Sequence, residues 1–189
     1  MRVFLRRVRA REPLPLAMSG VRMGERLLQI GVNDARLAGS LAAKVGLSGH
    51  AAIAVTDDDT AERARRASAD AGVLTDVHVT RLDALPFADR DFDVVVAHGM
   101  DGAIASLDPS TRHGVMRECH RVLRPGGRFI AIEAGTRRGL ARLLSPGPGP
   151  GAEYEAAGGS VAAMQGAGFT AVRLLAQREG YRFTEGLKG

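Results

Sequence analysis

Residues 24–35 read Gly-Glu-Arg-Leu-Leu-Gln-Ile-Gly-Val-Asn-Asp-Ala. Leu27, Leu28 and Ile30 make an apolar strand that runs into Gly31, a short polar turn and then a helical pattern. That layout is how an open α/β sheet begins a nucleotide-cofactor site, with the glycine at the turn allowing the backbone to approach a ligand. Two positions where such a turn usually carries glycine hold Asn33 and Ala35 instead.

The pattern repeats outward from this turn. Further apolar runs at Ala51–Thr56, Val77–Thr80, Phe92–Ala97 and Arg128–Glu133 read as strands. Val94-Val95-Val96 has no polar alternation, as expected of a central parallel strand covered on both faces. Between the strands lie helical stripes. Leu37, Leu41 and Val45 recur every four residues, and the stripe ends at Gly46 and Gly49. Thr60–Ala71 places Ala61, Ala64, Ala67 and Ala71 on one face and stops at Gly72. Asp108-Pro109 reads as an N-cap followed by proline at the first helical position. Val115, Met116, Cys119, Val122 and Leu123 follow as a stripe, closed by Pro125-Gly126-Gly127.

Strands alternating with helices predict a mostly parallel sheet with helices on both faces. The end of the chain breaks the rhythm. Val161–Ala167 reads as a short helix, and Ala171–Gln177 and Tyr181–Gly186 as strands separated by only Arg178-Glu179-Gly180. So short a link forces an antiparallel hairpin at the sheet edge. Ser145–Gly151, of sequence SPGPGPG, is neither helix nor strand, and with Ala152–Gly159 it is expected to form a long loop.

The 189 residues are 45% hydrophobic, which excludes a disordered chain and is enough for one domain with a full core. Lysine and arginine number 26 against 21 acids, a net charge of +5. The charge is spread rather than striped, which argues against nucleic acid as a partner. Arg2, Arg6, Arg7, Arg9 and Arg11 are the exception, five cations before the first acid at Glu12. They read either as a basic terminus or as a surface-binding arm. Residues 1–22 are therefore set apart as a basic arm or lid, and residues 23–189 as the folded domain. Cys119 is the only cysteine, so no internal disulfide forms. No apolar run reaches membrane-spanning length, and the N-terminus lacks the continuous apolar core of a signal peptide. A soluble cytoplasmic protein is expected. No cluster of His, Cys and Asp has metal-ligand spacing, so no metal is expected.

Two further stretches narrow the class. One is Leu82-Asp83-Ala84-Leu85-Pro86-Phe87-Ala88-Asp89-Arg90-Asp91-Phe92-Asp93-Val94-Val95. The other is Arg117-Glu118-Cys119-His120-Arg121-Val122-Leu123-Arg124-Pro125-Gly126-Gly127-Arg128. In this order and spacing the chain resembles the class I S-adenosylmethionine-dependent methyltransferases of the small type with Leu-Pro-Phe after the third strand. The resemblance runs from about Met23 to the C-terminus. It implies a Rossmann-like seven-stranded sheet with an antiparallel C-terminal edge hairpin, S-adenosylmethionine as cofactor, and methyl transfer to a small-molecule acceptor. Carried over by position, Gly31 lets the backbone approach the cofactor, with Asn33 and Asp34 in the same turn. An acid after the second strand accepts from the ribose hydroxyls. The usual spacing falls near Val55, and the first acid is Asp57. Asp83 and the backbone of Ala84 read the adenine, and His98 and Gly99 border the methionine end and the transferring methyl.

The chain departs from the family's first loop at Gln29, which replaces an acid, and at Asn33 and Ala35, which replace glycines. Asn33 tolerates positive φ. Asp34 either restores a carboxylate or caps the next helix, and capping is the simpler reading. Asp83 serves either the adenine or a turn. His98 is either a catalytic base or a structural histidine. Glu133 either lines the substrate site or caps a turn. Substrate selection is expected from Arg11–Met23 and Ala134–Gly159, with Met18, Met23, Leu140 and Leu143 as an apolar lid, and a homodimer could complete so small a cover. The altered loop also admits a catalytically inactive member that serves as a binding or assembly subunit. A nicotinamide-dependent reductase is disfavoured, because neither Tyr154 nor Tyr181 begins a Tyr-x-x-x-Lys pair.

Overall fold

The computed structural model describes residues 12–135 and 151–189. Its elements are α1 (Leu14–Met18), β1 (Arg26–Ile30), α2 (Ala35–Val45), β2 (His50–Val55), α3 (Asp58–Asp70), β3 (Asp76–Val79), β4 (Phe92–Gly99), α4 (Pro109–Val122), β5 (Leu123–Ala134), α5 (Ala152–Ala156), α6 (Gly159–Gly166), β6 (Thr170–Arg178) and β7 (Tyr181–Leu187). The strands form one sheet in the order β3-β2-β1-β4-β5-β7-β6. The pairs among β1 to β5 are parallel, and β7 runs antiparallel to β5 and β6. The expected edge hairpin is present, with its reversed strand set inside and β6 outermost. It turns on Glu179 and Gly180, whose φ values of +54° and +79° suit a two-residue hairpin turn.

Strand parity sorts the core into two faces. Leu28, Ile30, Val95, Ala97, Phe129 and Ala131 meet Val115, Met116, Cys119 and Val122 of α4 and Met164 of α6. On the other face Leu27, Val94, Val96, Ile130 and Phe183 meet Leu41, Ala42 and Val45 of α2, with Leu14, Leu16 and Met18 of α1 packed alongside. A smaller cluster joins Val32, Ala38, Ile53 and Val55 to Ala61 and Ala64 of α3. Cys119 is buried on the apolar stripe of α4, where burial raises its thiol pKa. Gly39 lets α2 press on α3, since a Cβ there would lie 2.5 Å from the Ala67 carbonyl oxygen.

Three expectations are corrected. Residues 152–159 are not all loop. Ala152–Ala156 forms α5, because Tyr154 buries its ring and gives the segment an anchor. Met23 is no lid. It is 79% exposed and sits beside Gly46 and the start of β1, at the opposite end of the strands from any carboxyl-end crevice. Asn33 does not take positive φ; the turn after β1 takes it at Gly31 alone. The arginines at 2, 6, 7, 9 and 11, Leu140, Leu143 and residues 145–150 lie outside the described residues. No helix among the described residues is long and apolar enough to cross a membrane.

Candidate functional site

The strand order reverses between β1 and β4, whose connections leave in opposite directions. A crevice therefore opens at their carboxyl ends, the usual ligand position in a doubly wound sheet. Most of the residues expected at the site lie on its rim: Gly31, Asn33 and Asp34 after β1, Asp57 after β2, Asp83 and Ala84 after β3, and His98 and Gly99 at the end of β4.

Gly31 makes the first turn. Its φ is +63°, and a Cβ there would lie 3.3 Å from the His98 carbonyl oxygen. A side chain at this position would be strained by the backbone and crowd β4. Asp34 is the N-cap of α2 and accepts from the Leu37 N–H at 3.1 Å. Asp57 is likewise the N-cap of α3 and accepts from the Thr60 N–H at 2.8 Å, which holds its carboxyl below the usual range. The preceding Val55 is 1% exposed in the apolar cluster with Val32. The carboxylate available to a ribose is thus that of the exposed helix cap and not one at the strand end.

Asp83 is held by Arg81 through bonds of 3.0 and 2.7 Å, and this pairing lowers its pKa. The Ala84 N–H donates to the Arg81 carbonyl at 3.2 Å and so closes a turn. Gly114 of α4 faces Asp83, and a Cβ there would come within 3.1 Å of the Asp83 Cβ. The loop that carries Asp83 is clamped to α4. Glu118 accepts from the Leu85 N–H at 2.8 Å, and Arg121 donates to the carbonyls of Leu85 and Phe87 and to Asp89. The two sequence stretches that carried the resemblance are therefore two sides of one contact.

His98 is 2% exposed. Its Nε2 meets Gln29 Oε1 at 2.9 Å, and Gln29 Nε2 donates to the Ala38 carbonyl at 3.0 Å. Burial pushes the His98 pKa down to about 4, against the pull of Asp34 and Asp101 in the opposite direction. So weak a base suits hydrogen-bond acceptance better than proton abstraction near neutrality. Gln29, which stands where the family has an acid, thus lies under α2, fully buried.

A second buried polar group lies at the end of β5. Glu133 accepts from the Tyr154 hydroxyl at 2.9 Å and from Arg182 Nη2 at 2.9 Å, and Arg182 also donates to Glu155 at 2.6 Å. Arg112 stacks on the Tyr154 ring at 4.6 Å. Burial, followed by the Glu133 charge, raises the tyrosine pKa. This network fastens α5 to β5 and β7, so Glu133 is engaged in the fold. An open groove of about 550 Å³ lies between Ala105–Asp108, Arg112 and Gly151–Tyr154, on the crevice side of the sheet. Among the described residues no three His, Cys, Asp or Glu side chains form a group able to hold a metal ion.

The residues present fit an adenosine cofactor with an amino-acid end. Gly31 turns the chain at positive φ and presents bare backbone after β1. The loops after β2 and β3 carry the carboxylates of Asp57 and Asp83, which can accept from hydroxyl and amino donors. A buried imidazole nitrogen of His98 has no hydrogen-bond partner among the described residues.

A family profile described as "Methyltransferase domain" matches residues 28–131, more than half of the chain. The ubiquinone/menaquinone biosynthesis C-methyltransferase UbiE of Ectopseudomonas mendocina is 35% identical over 121 residues, which is 62% of this chain and 45% of that relative. This chain thus spans about half the length of the curated relatives it matches. The crystal structure of a SAM-dependent methyltransferase from Aquifex aeolicus superposes with a TM-score of 0.72 at 17% identity, covering 93% of this chain and 88% of that one. A structure of PigF with SAH, the demethylated cofactor, gives a TM-score of 0.61 at 19% identity over 87% of this chain and 51% of that one. The two structural likenesses concern the fold.

Proposed function

The chain belongs to the class I S-adenosylmethionine-dependent methyltransferase family, and on that premise we propose that it transfers the methyl group of S-adenosylmethionine to a small-molecule acceptor. The observation that carries this reading is the crevice at the β1/β4 switch point. Its Gly31 turn takes positive φ without a side chain, and Asp57 and Asp83 follow the neighbouring strands β2 and β3 at the same end of the sheet. The cofactor supplies an electrophilic methyl on a positively charged sulfur. Transfer from it asks the protein chiefly for in-line positioning of a nucleophile.

Each residue then has a defined task. The bare Gly31 backbone leaves room against β4. Asp57 accepts from ribose hydroxyls while it caps α3, and Asp83, ordered by Arg81, accepts from the adenine amino group. Ala84 lies beside Asp83, with its N–H turned to the Arg81 carbonyl. Gly99 borders the methyl end in this reading, and its missing side chain makes room for Glu133, whose Cγ would lie 3.2 Å from a Cβ there. The groove beside Tyr154 and Arg112 is the proposed approach for the acceptor. The UbiE relatives are named as C-methyltransferases of quinone biosynthesis, which makes an aromatic hydroquinone the first acceptor to try.

The test is transfer of label from methyl-tritiated S-adenosylmethionine to a short-chain hydroquinone. Labelled product that disappears in Gly31→Val supports the proposal. Tight cofactor binding without transfer to this or a panel of phenolic acceptors would instead favour a non-catalytic binding subunit.

A further inference from the structure

Gln29 looks at first like a lost charge. Its hydrogen bonds describe a different arrangement. The Ala38 carbonyl can only accept, so the nitrogen of the Gln29 amide faces it, at 3.0 Å. The amide oxygen therefore faces His98 Nε2, at 2.9 Å. That oxygen can also only accept, so Nε2 carries the ring proton. Nδ1 is left as an unprotonated lone pair, buried and without a hydrogen-bond partner among the described residues. Buried acceptors in folded proteins are almost always matched, because leaving one bare costs free energy.

The surroundings say what kind of donor would match it. Asp34 in the turn after β1 and Asp101 in the loop after β4 both act on the ring as negative charges. They favour a cationic donor over a neutral one. Residue 98 lies at the carboxyl end of β4, and the Gly31 turn passes its backbone carbonyl. A carboxylate at position 29 would draw a second proton onto the ring and turn Nδ1 into a donor. Glutamine holds the ring in one neutral tautomer.

We propose that His98 Nδ1 accepts a hydrogen bond from the ammonium group of the cofactor's amino-acid end, with Gln29 as the positioning residue that fixes the tautomer. This rests on the reading of the crevice as the S-adenosylmethionine site. The acid-to-glutamine change then exchanges a direct charge for an oriented neutral acceptor flanked by Asp34 and Asp101.

Histidine-¹⁵N-labelled full-length protein, titrated with S-adenosylhomocysteine and with 5′-methylthioadenosine, tests it. The second ligand keeps the nucleoside and thioether and lacks the amino acid. In the free protein His98 should show a protonated Nε2 and an unprotonated Nδ1. S-adenosylhomocysteine should move the Nδ1 resonance upfield, and methylthioadenosine should bind and leave it in place. By calorimetry, His98→Phe should weaken S-adenosylhomocysteine at least about tenfold, the lower bound for a hydrogen bond to a charged group, and leave methylthioadenosine within twofold. An Nδ1–H tautomer, an Nδ1 resonance indifferent to bound S-adenosylhomocysteine, or equal loss for both ligands would overturn the assignment while leaving the crevice reading in place. Neither ligand binding the wild type at millimolar concentration would overturn both. If His98→Phe does not fold, the wild-type spectra decide alone.

Discussion

Moving the protein from pH 7.5 to pH 5.0 tests the burial of His98, the least exposed polar group at the rim of the crevice. Its pKa is pushed down from 6.5 to about 4, with burial as the largest cause, and Asp34 and Asp101 oppose that shift without cancelling it. Below pH 6.5 the unfolded chain takes up a proton at this residue, and the folded protein does not until about pH 4. The unfolded state therefore binds more protons across that window, and stability must fall as the pH falls. Each pH unit within it costs up to about 1.4 kcal/mol for one histidine, so about 2 kcal/mol is lost by pH 5 and about 3 kcal/mol in full. Against a typical total of about 5–15 kcal/mol the protein should stay folded at pH 5 and be measurably weaker. Urea unfolding at the two pH values measures the loss. Burial lowers the His120 pKa in the same direction, so the comparison is with His98→Gln, whose side chain does not titrate. The variant should lose about 2 kcal/mol less than the wild type over the same step. Equal losses in the two proteins, or a His98 resonance that titrates near pH 6.5, would refute the reasoning.

Gly39→Ala sets helix propensity against packing. Propensity favours alanine by about 1 kcal/mol, but the new methyl would lie 2.5 Å from the Ala67 carbonyl oxygen, and such overpacking costs about 1–3 kcal/mol. A lower melting temperature is expected, and a rise would show that α2 and α3 separate freely. Asp57→Ser separates the two roles of Asp57, because serine still caps α3. Binding of S-adenosylhomocysteine by calorimetry should weaken about tenfold while the melting temperature barely moves, and unchanged affinity would remove Asp57 from the ribose site. Glu133→Ala leaves the largely buried Arg182 guanidinium with Glu155 alone and removes the acceptor of the Tyr154 hydroxyl, and should destabilise the fold by about 1–3 kcal/mol in urea. A loss under 1 kcal/mol would show that the network around Tyr154 is incidental.

Much of this architecture is legible in local sequence. The Val94–Val96 run, the stripe of α4 and the Asp108-Pro109 start each follow from residues within a few positions of one another. Asp108 does accept from the Ser110 and Thr111 N–H groups, as its place before Pro109 suggests. Asp34 caps α2 for the same local reason. The polar groups that decide the site are not local. Gln29 and His98 are 69 residues apart, and Glu133 and Arg182 are 49 apart. Nothing in either neighbourhood marks the pair until β1 and β4, or β5 and β7, lie side by side. The one available signal was a glutamine inside an otherwise apolar strand, since a buried amide requires partners. Helix α5 is masked by the Gly-Pro run before it, and the long-range contact of Tyr154 with Glu133 anchors it. Hydrophobicity alone does not say which end of a strand a residue occupies, and Met23 lies at the amino end of β1 beside Gly46.

The claim that the β1/β4 crevice holds S-adenosylmethionine is tested most directly by titrating it, and its demethylated product, into the full-length protein in a calorimeter. Micromolar binding, weakened about tenfold in Asp83→Ala as expected for a lost hydrogen bond to a charged group, is the predicted result. No heat of binding at millimolar ligand, from a protein that is folded by its unfolding transition, would contradict it.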